Sequence, residues 1–168
     1  MFNIGDLIIY SGHGICQIDD ICEKTISGIT RDYYVLHPME NNPPLTISTP
    51  VTNNKVVMLE LIQKEEAHKI LESFKKPGVK WDDNPNTRYN IYSELINTGE
   101  RNEIAKVINT LMCKKIEAER KEKKLYERDQ KLLNATQAIL FKELSITLGT
   151  TFEEINERIL KVILETSI

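Results

Sequence analysis

The sequence predicts an α+β protein in which a small all-β module precedes an all-α one. Three observations carry that prediction. Short β-rich runs with turn formers between them fill residues 2–61, and from Lys64 onward the hydrophobic period becomes helical. The 168 residues are 40% hydrophobic and 28% charged, an ordinary globular composition with enough chain to bury a core. The boundary is drawn between residues 62 and 63.

The expected strands cover residues 6–10, 15–21, 33–36, 45–47 and 56–59. Between them stand Ser11-Gly12-His13-Gly14, Ser27-Gly28, Asn41-Asn42-Pro43-Pro44 and Asn53-Asn54. Strands of this length at close spacing fit a small barrel or sandwich. Ser27-Gly28 has the form of a hairpin turn joining residues 22–26 to 31–36.

Five helices follow. Ala67, Ile70, Leu71 and Phe74 form one apolar stripe, which Lys76-Pro77-Gly78 stops. Asn84-Pro85 is an N-cap followed by proline at the first helical position, and Gly99 ends that helix. A third helix begins near Arg101 and a fourth near Glu127. Thr151-Phe152-Glu153-Glu154 is a capping box opening the last.

No apolar run approaches a membrane span of about 18 residues, and the N-terminus has no basic or extended apolar leader segment. A cytoplasmic protein with reduced thiols at Cys16, Cys22 and Cys113 is therefore expected. His13-x-x-Cys16 is one metal-type pair, but no second pair accompanies it, so no metal or other cofactor is assigned. Phosphate-cradling and nucleophile-elbow motifs are absent. No enzyme, and no small-molecule substrate, is indicated.

Charge is more informative than motif. The net charge is −3, with residues 1–76 contributing all of it and residues 77–168 neutral. Within the neutral part, residues 114–131 hold eight basic and five acidic side chains, including Lys114, Lys124, Arg128 and Lys131. Such a stretch serves either as a phosphate-contacting patch or as a solvated face laced with ion pairs. The single tryptophan, Trp81, sits in a Pro-Gly-containing connector between Lys80 and Asp82, with Arg88 a few residues on. Docked, it would pack on its own domain; exposed, it would stack on a base or wedge between base steps.

The motif Phe2-x-x-Gly5-Asp6-x-x-x-Tyr10-x-x-His13-Gly14 resembles the N-terminal signature of the CarD family of bacterial transcription regulators. Thr25-Ile26-x-Gly28, Tyr33-Tyr34-Val35-Leu36, Pro50, Arg88-Tyr89, Leu95-x-x-x-Gly99-Glu100 and Leu140-x-x-Glu143-Leu144 extend the likeness over nearly the whole chain. The resemblance implies a Tudor/SH3-like β-barrel, similar to the RNA-polymerase-interacting domain of transcription-repair coupling factors, over residues 1–62. That module would bind the RNA polymerase β subunit. An exposed edge at Thr46, Ile47 and Ser48 would add a strand of the partner through backbone hydrogen bonds, with Lys24 and Arg31 setting orientation and association rate. The helical module, residues 63–168, would contact promoter DNA in the minor groove at the upstream edge of the bubble. Lys80, Trp81, Arg88, Lys114, Lys124, Arg128 and Lys131 are its expected contacts, with weak affinity unless polymerase tethers the chain.

Some positions depart from the family pattern. Pro85 occupies the usual tryptophan position, four residues after Trp81, and Ser48 stands where an arginine is typical. Asn90 and Gln130 replace basic residues. Two alternatives stand beside the regulator reading: a polymerase adaptor whose helices recruit a protein, and a thiol or zinc enzyme using Cys16 or Cys22.

Overall fold

The structure is a computed structural model describing residues 1–40, 43–52 and 56–166. The expected turn formers Asn41, Asn42, Asn53 and Asn54 lie outside the described residues. The chain divides into two compact units, Met1–Leu61 and Ile62–Ile168.

The first unit is a five-stranded antiparallel sheet of β1 (Leu7–Tyr10), β2 (Gly14–Ile26), β3 (Ile29–Pro38), β4 (Ile47–Pro50) and β5 (Met58–Glu60), in the order β4-β3-β2-β1-β5. Ile8, Tyr10, Cys16, Ile18, Tyr34 and Leu36 form its core. The signature residues are those that close this module. Gly5, at φ 91°, lets its N–H reach the Ile18 carbonyl (2.7 Å), and the Asp6 carboxylate accepts from the Asn3 N–H (2.8 Å). Phe2 packs edge-on against Tyr34.

The two short segments expected at 15–21 and 22–26 are one thirteen-residue strand. A register shift between Ile18 and Asp20 leaves Asp19 as the extra residue, which is why alternation reads imperfectly there. Ser27 and Gly28 both take positive φ, the conformation of a type I′ hairpin turn. The fourth strand is displaced from 45–47 to Ile47–Pro50, because Ile47 and Thr49 pair with Leu36 and Tyr34 while Leu45 stays exposed.

The second unit holds α1 (Lys64–Ser73), α2 (Pro85–Asn97), α3 (Arg101–Arg120), α4 (Glu127–Leu148) and α5 (Phe152–Thr166). Asn84 caps α2 by accepting from the N–H groups of Asn86 and Thr87. α3 is the central element, buried continuously from Val107 to Met112. Glu143 of α4, buried, accepts from Arg101 and from the Ile62 N–H, fixing the start of the unit. The capping box at α5 forms by half. Thr151 accepts from the Glu154 N–H, but the Glu154 carboxylate pairs with the Thr150 hydroxyl and Arg158. Among the described residues, no helix is long and apolar enough to cross a membrane.

Candidate functional site

In the second unit the connector between α1 and α2 carries Trp81 to the helical core. The ring is half-buried, with the Arg88 guanidinium 4.0 Å and the Lys114 ammonium 5.0 Å from its centroid. Arg88 is only 3% exposed. Its Nε and Nη2 donate to the two oxygens of Asp129 (3.0 and 2.5 Å), a fork-to-fork pair, and its Nη1 donates to the Asp82 carbonyl (2.7 Å). The bonds donated to Asp129 raise the Arg88 pKa above its ordinary value, although burial pulls the other way.

Arg88 is one of the residues expected to contact DNA, and it is buried here. A buried guanidinium already committed to a carboxylate has no surface to offer a phosphate. It lies over the Trp81 ring instead.

Trp81 lines a cleft of about 270 Å³ together with Lys114, Glu117, Lys121, Lys123, Lys124 and Tyr126, among others. The lysines come from the end of α3 and the turn that follows. That turn is a Schellman closure, in which the Lys123 N–H reaches the Ala118 carbonyl and the Glu122 N–H reaches that of Glu119. Glu122 supplies the left-handed residue, φ 55°. Glu117 lies 3.3 Å from Lys114 and 3.5 Å from Lys121, and the hydrogen bond and charge of Lys114 hold its carboxyl below the ordinary range. The arrangement offers an aromatic surface beside a cationic rim, suited to a base or sugar next to a phosphate.

Of the residues expected to contact DNA, Trp81, Lys114 and Lys124 meet at this cleft. Lys80 is exposed beside it in sequence, its carbonyl accepting from the Tyr92 hydroxyl. Arg128 and Lys131 stand on α4 outside the cleft lining. Arg128 stacks on Tyr89 (3.7 Å) and donates to Asn86, while Lys131 pairs with Glu127 at 3.1 Å. Lys121, Lys123 and Tyr126 were not singled out by the sequence, although the two lysines belong to its basic stretch. Only tertiary packing distinguishes them from Lys115 or Arg120.

In the first unit β4 is an edge strand. Ile47 packs toward the core, Ser48 is exposed and Thr49 is buried, so the edge offers outward side chains at Thr46 and Ser48. Lys24 reaches across to donate to the Ser48 hydroxyl (2.7 Å), while Arg31, paired in register with Lys24, is exposed. At the hairpin tip Ile26 and Ile29 are half exposed, an apolar pair that sequence reading missed.

The surroundings of Cys16 do not suit a nucleophile. Burial pushes the Cys16 thiol up to about 11, so the nucleophilic thiolate is scarce near neutral pH. His37 is bound to Asp19 and His13 stacks on Tyr10.

Comparison with known proteins now decides the family. A model of the CarD-like/TRCF RID domain matches residues 2–63, and one of the CarD C-terminal domain matches residues 69–160. The chain belongs to the CarD-like transcription factor family. It is similar to the candidate transcription factor YdeB of Bacillus subtilis (strain 168), with 31% identity over 166 residues, covering 92% of this chain and 97% of that protein. CarD-like proteins are transcription regulators and not a known enzyme class, and the RID of the N-terminal match denotes an RNA-polymerase-interacting domain.

Proposed function

We propose that this CarD-like protein binds the β subunit of RNA polymerase through its sheet and contacts promoter DNA through the Trp81 cleft. The DNA contact falls at the upstream edge of the melted bubble, in the cytoplasm, and stabilises the open complex. The observation that carries the reading is the cleft itself: the lone tryptophan, braced on a buried ion pair, beside Lys114, Lys121, Lys123 and Lys124. Membership of the family supplies the setting.

On the sheet, β4 presents an edge to which a strand of the partner adds through backbone hydrogen bonds. Lys24 and Arg31 set orientation and association rate, and the exposed Ile26 and Ile29 supply apolar contact. On the DNA, Trp81 favours the splayed minor groove over closed duplex. A regulator shifts an equilibrium only by its preference between the two states, and a preference of about 1.4 kcal/mol is tenfold.

The test is open-complex lifetime with and without the protein. Wild type lengthens it, and Trp81→Ala shortens it toward the value without regulator. An unchanged lifetime in W81A removes the DNA contact from the proposal. Pull-down with an isolated β-subunit lobe tests the other half, and no capture at micromolar protein would remove it. Retained polymerase binding with no affinity for forked DNA at low salt favours a protein-recruiting adaptor instead.

A further inference from the structure

The connector that carries Trp81 has no strand or helix to satisfy its backbone, yet its carbonyls are met one after another by buried side chains. Asn109 Nδ2 donates to the Lys76 carbonyl (2.8 Å), and Thr110 Oγ1 donates to the Val79 carbonyl (2.8 Å). The Tyr92 hydroxyl donates to the Lys80 carbonyl (2.9 Å) and Arg88 Nη1 to the Asp82 carbonyl (2.7 Å). Trp81 is therefore bracketed on both sides of the chain. Asn109 and Thr110 are 5% and 8% exposed, in the middle of α3 between Ile108 and Leu111. A threonine inside a helix ordinarily turns its hydroxyl back to its own helix. Thr110 turns it outward to the connector.

Gly78 completes the fit. A Cβ there would lie 2.3 Å from Thr110 Oγ1 and 2.5 Å from the Lys106 carbonyl oxygen, so the connector touches the α3 backbone at the one residue that has no side chain. We propose that Thr110, with Gly78 seated against it, is a positioning residue that fixes Trp81 as a rigid surface for DNA. It acts through the connector backbone and touches no nucleic acid. The benefit is entropic: a ring already held in place loses less freedom on binding than a mobile one. The inference rests on the DNA reading above.

Trp81 is the chain's one tryptophan, so its fluorescence reports this position alone. Thr110→Val keeps the shape and removes the hydroxyl. Expected for T110V are faster local depolarisation of the tryptophan, greater quenching by a neutral quencher, and about three- to tenfold weaker binding to a short forked duplex at low salt. Thr110→Ser restores all three, and Gly78→Ala shifts them in the direction of T110V. In a Trp81→Ala background T110V costs no further affinity, because its effect passes through the ring. Unchanged depolarisation and quenching in T110V, or a full additive loss of affinity in the W81A background, overturns the assignment. Forked-duplex binding insensitive to W81A overturns the DNA reading itself, while the fluorescence arm still decides whether Thr110 sets the ring. Circular dichroism and a thermal midpoint establish that each variant is folded.

Discussion

Arg88 shows how one side chain changes meaning between sequence and fold. Beside Trp81 and Tyr89 in the chain it reads as a surface cation. In the structure it is buried with Asp129, a residue forty-one positions away. Two ions taken out of water are tolerable only together, and removing one strands the other. Arg88→Met is expected to destabilise the helical unit by about 3–5 kcal/mol, read from denaturant unfolding. Changing Asp129 to Leu in the same chain should recover most of that loss, because no lone charge is then left buried. A small loss in R88M alone would mean that the pair is solvated. Glu117 shows the milder, exposed case, paired with both Lys114 and Lys121 and leaving the trio net positive at the cleft.

Local signals at the scale of elements were strong. Asn84 caps α2 as its sequence indicates, Pro85 takes the first helical position, and Gly149 ends α4 with φ 66°. The end of α3 is different, because a glutamate occupies the left-handed position that glycine usually fills. Relieving that conformation should stabilise the unit. Glu122→Gly is expected to gain about 0.5–1 kcal/mol in a thermal melt, with the lysine-bearing turn kept. Destabilisation instead would show that the Glu122 side chain contributes more than its backbone costs. The β4 strand was misplaced by two residues for a related reason: β pairing is settled by the neighbouring strand, and Leu45 has no counterpart on β3.

The molecule as a whole consists of two units, each with its own core. Each core also holds a buried acid with a raised pKa. Burial lifts Cys16 from 9.0 to about 11 in the first unit, and Tyr92 from 10.0 to about 12 in the second. Stability linked to such a group is complete below its unfolded pKa and is lost as pH rises through its folded value. The first unit should therefore weaken between pH 9 and 11 and the second between pH 10 and 12, each by up to roughly 3 kcal/mol. Reactivity of the Cys16 thiol reports the first transition, and Trp81 emission reports the second. Cys16→Ala should move the first and leave the second in place. On the proposed function, joining the units in one chain raises the local concentration of the DNA-facing cleft once polymerase is held.

Periodicity, caps and turn formers were enough to recover the α+β class and the order of the described elements, apart from the division of residues 15–26 into two segments. These depend on neighbours within a turn of helix or a few strand residues, so they are written locally. The family signature was legible for the same reason, as its glycines and aromatics serve turns and packing inside one small sheet. Whether Trp81 is docked or presented depended on residues far along the chain. Asn109 and Thr110 receive its connector, Arg88 and Asp129 brace its ring, and the turn after α3 brings the lysines beside it. Long-range contacts of this kind are chosen by three-dimensional packing, where burial turns a surface cation into a support and a polar pair inside a helix into a clasp.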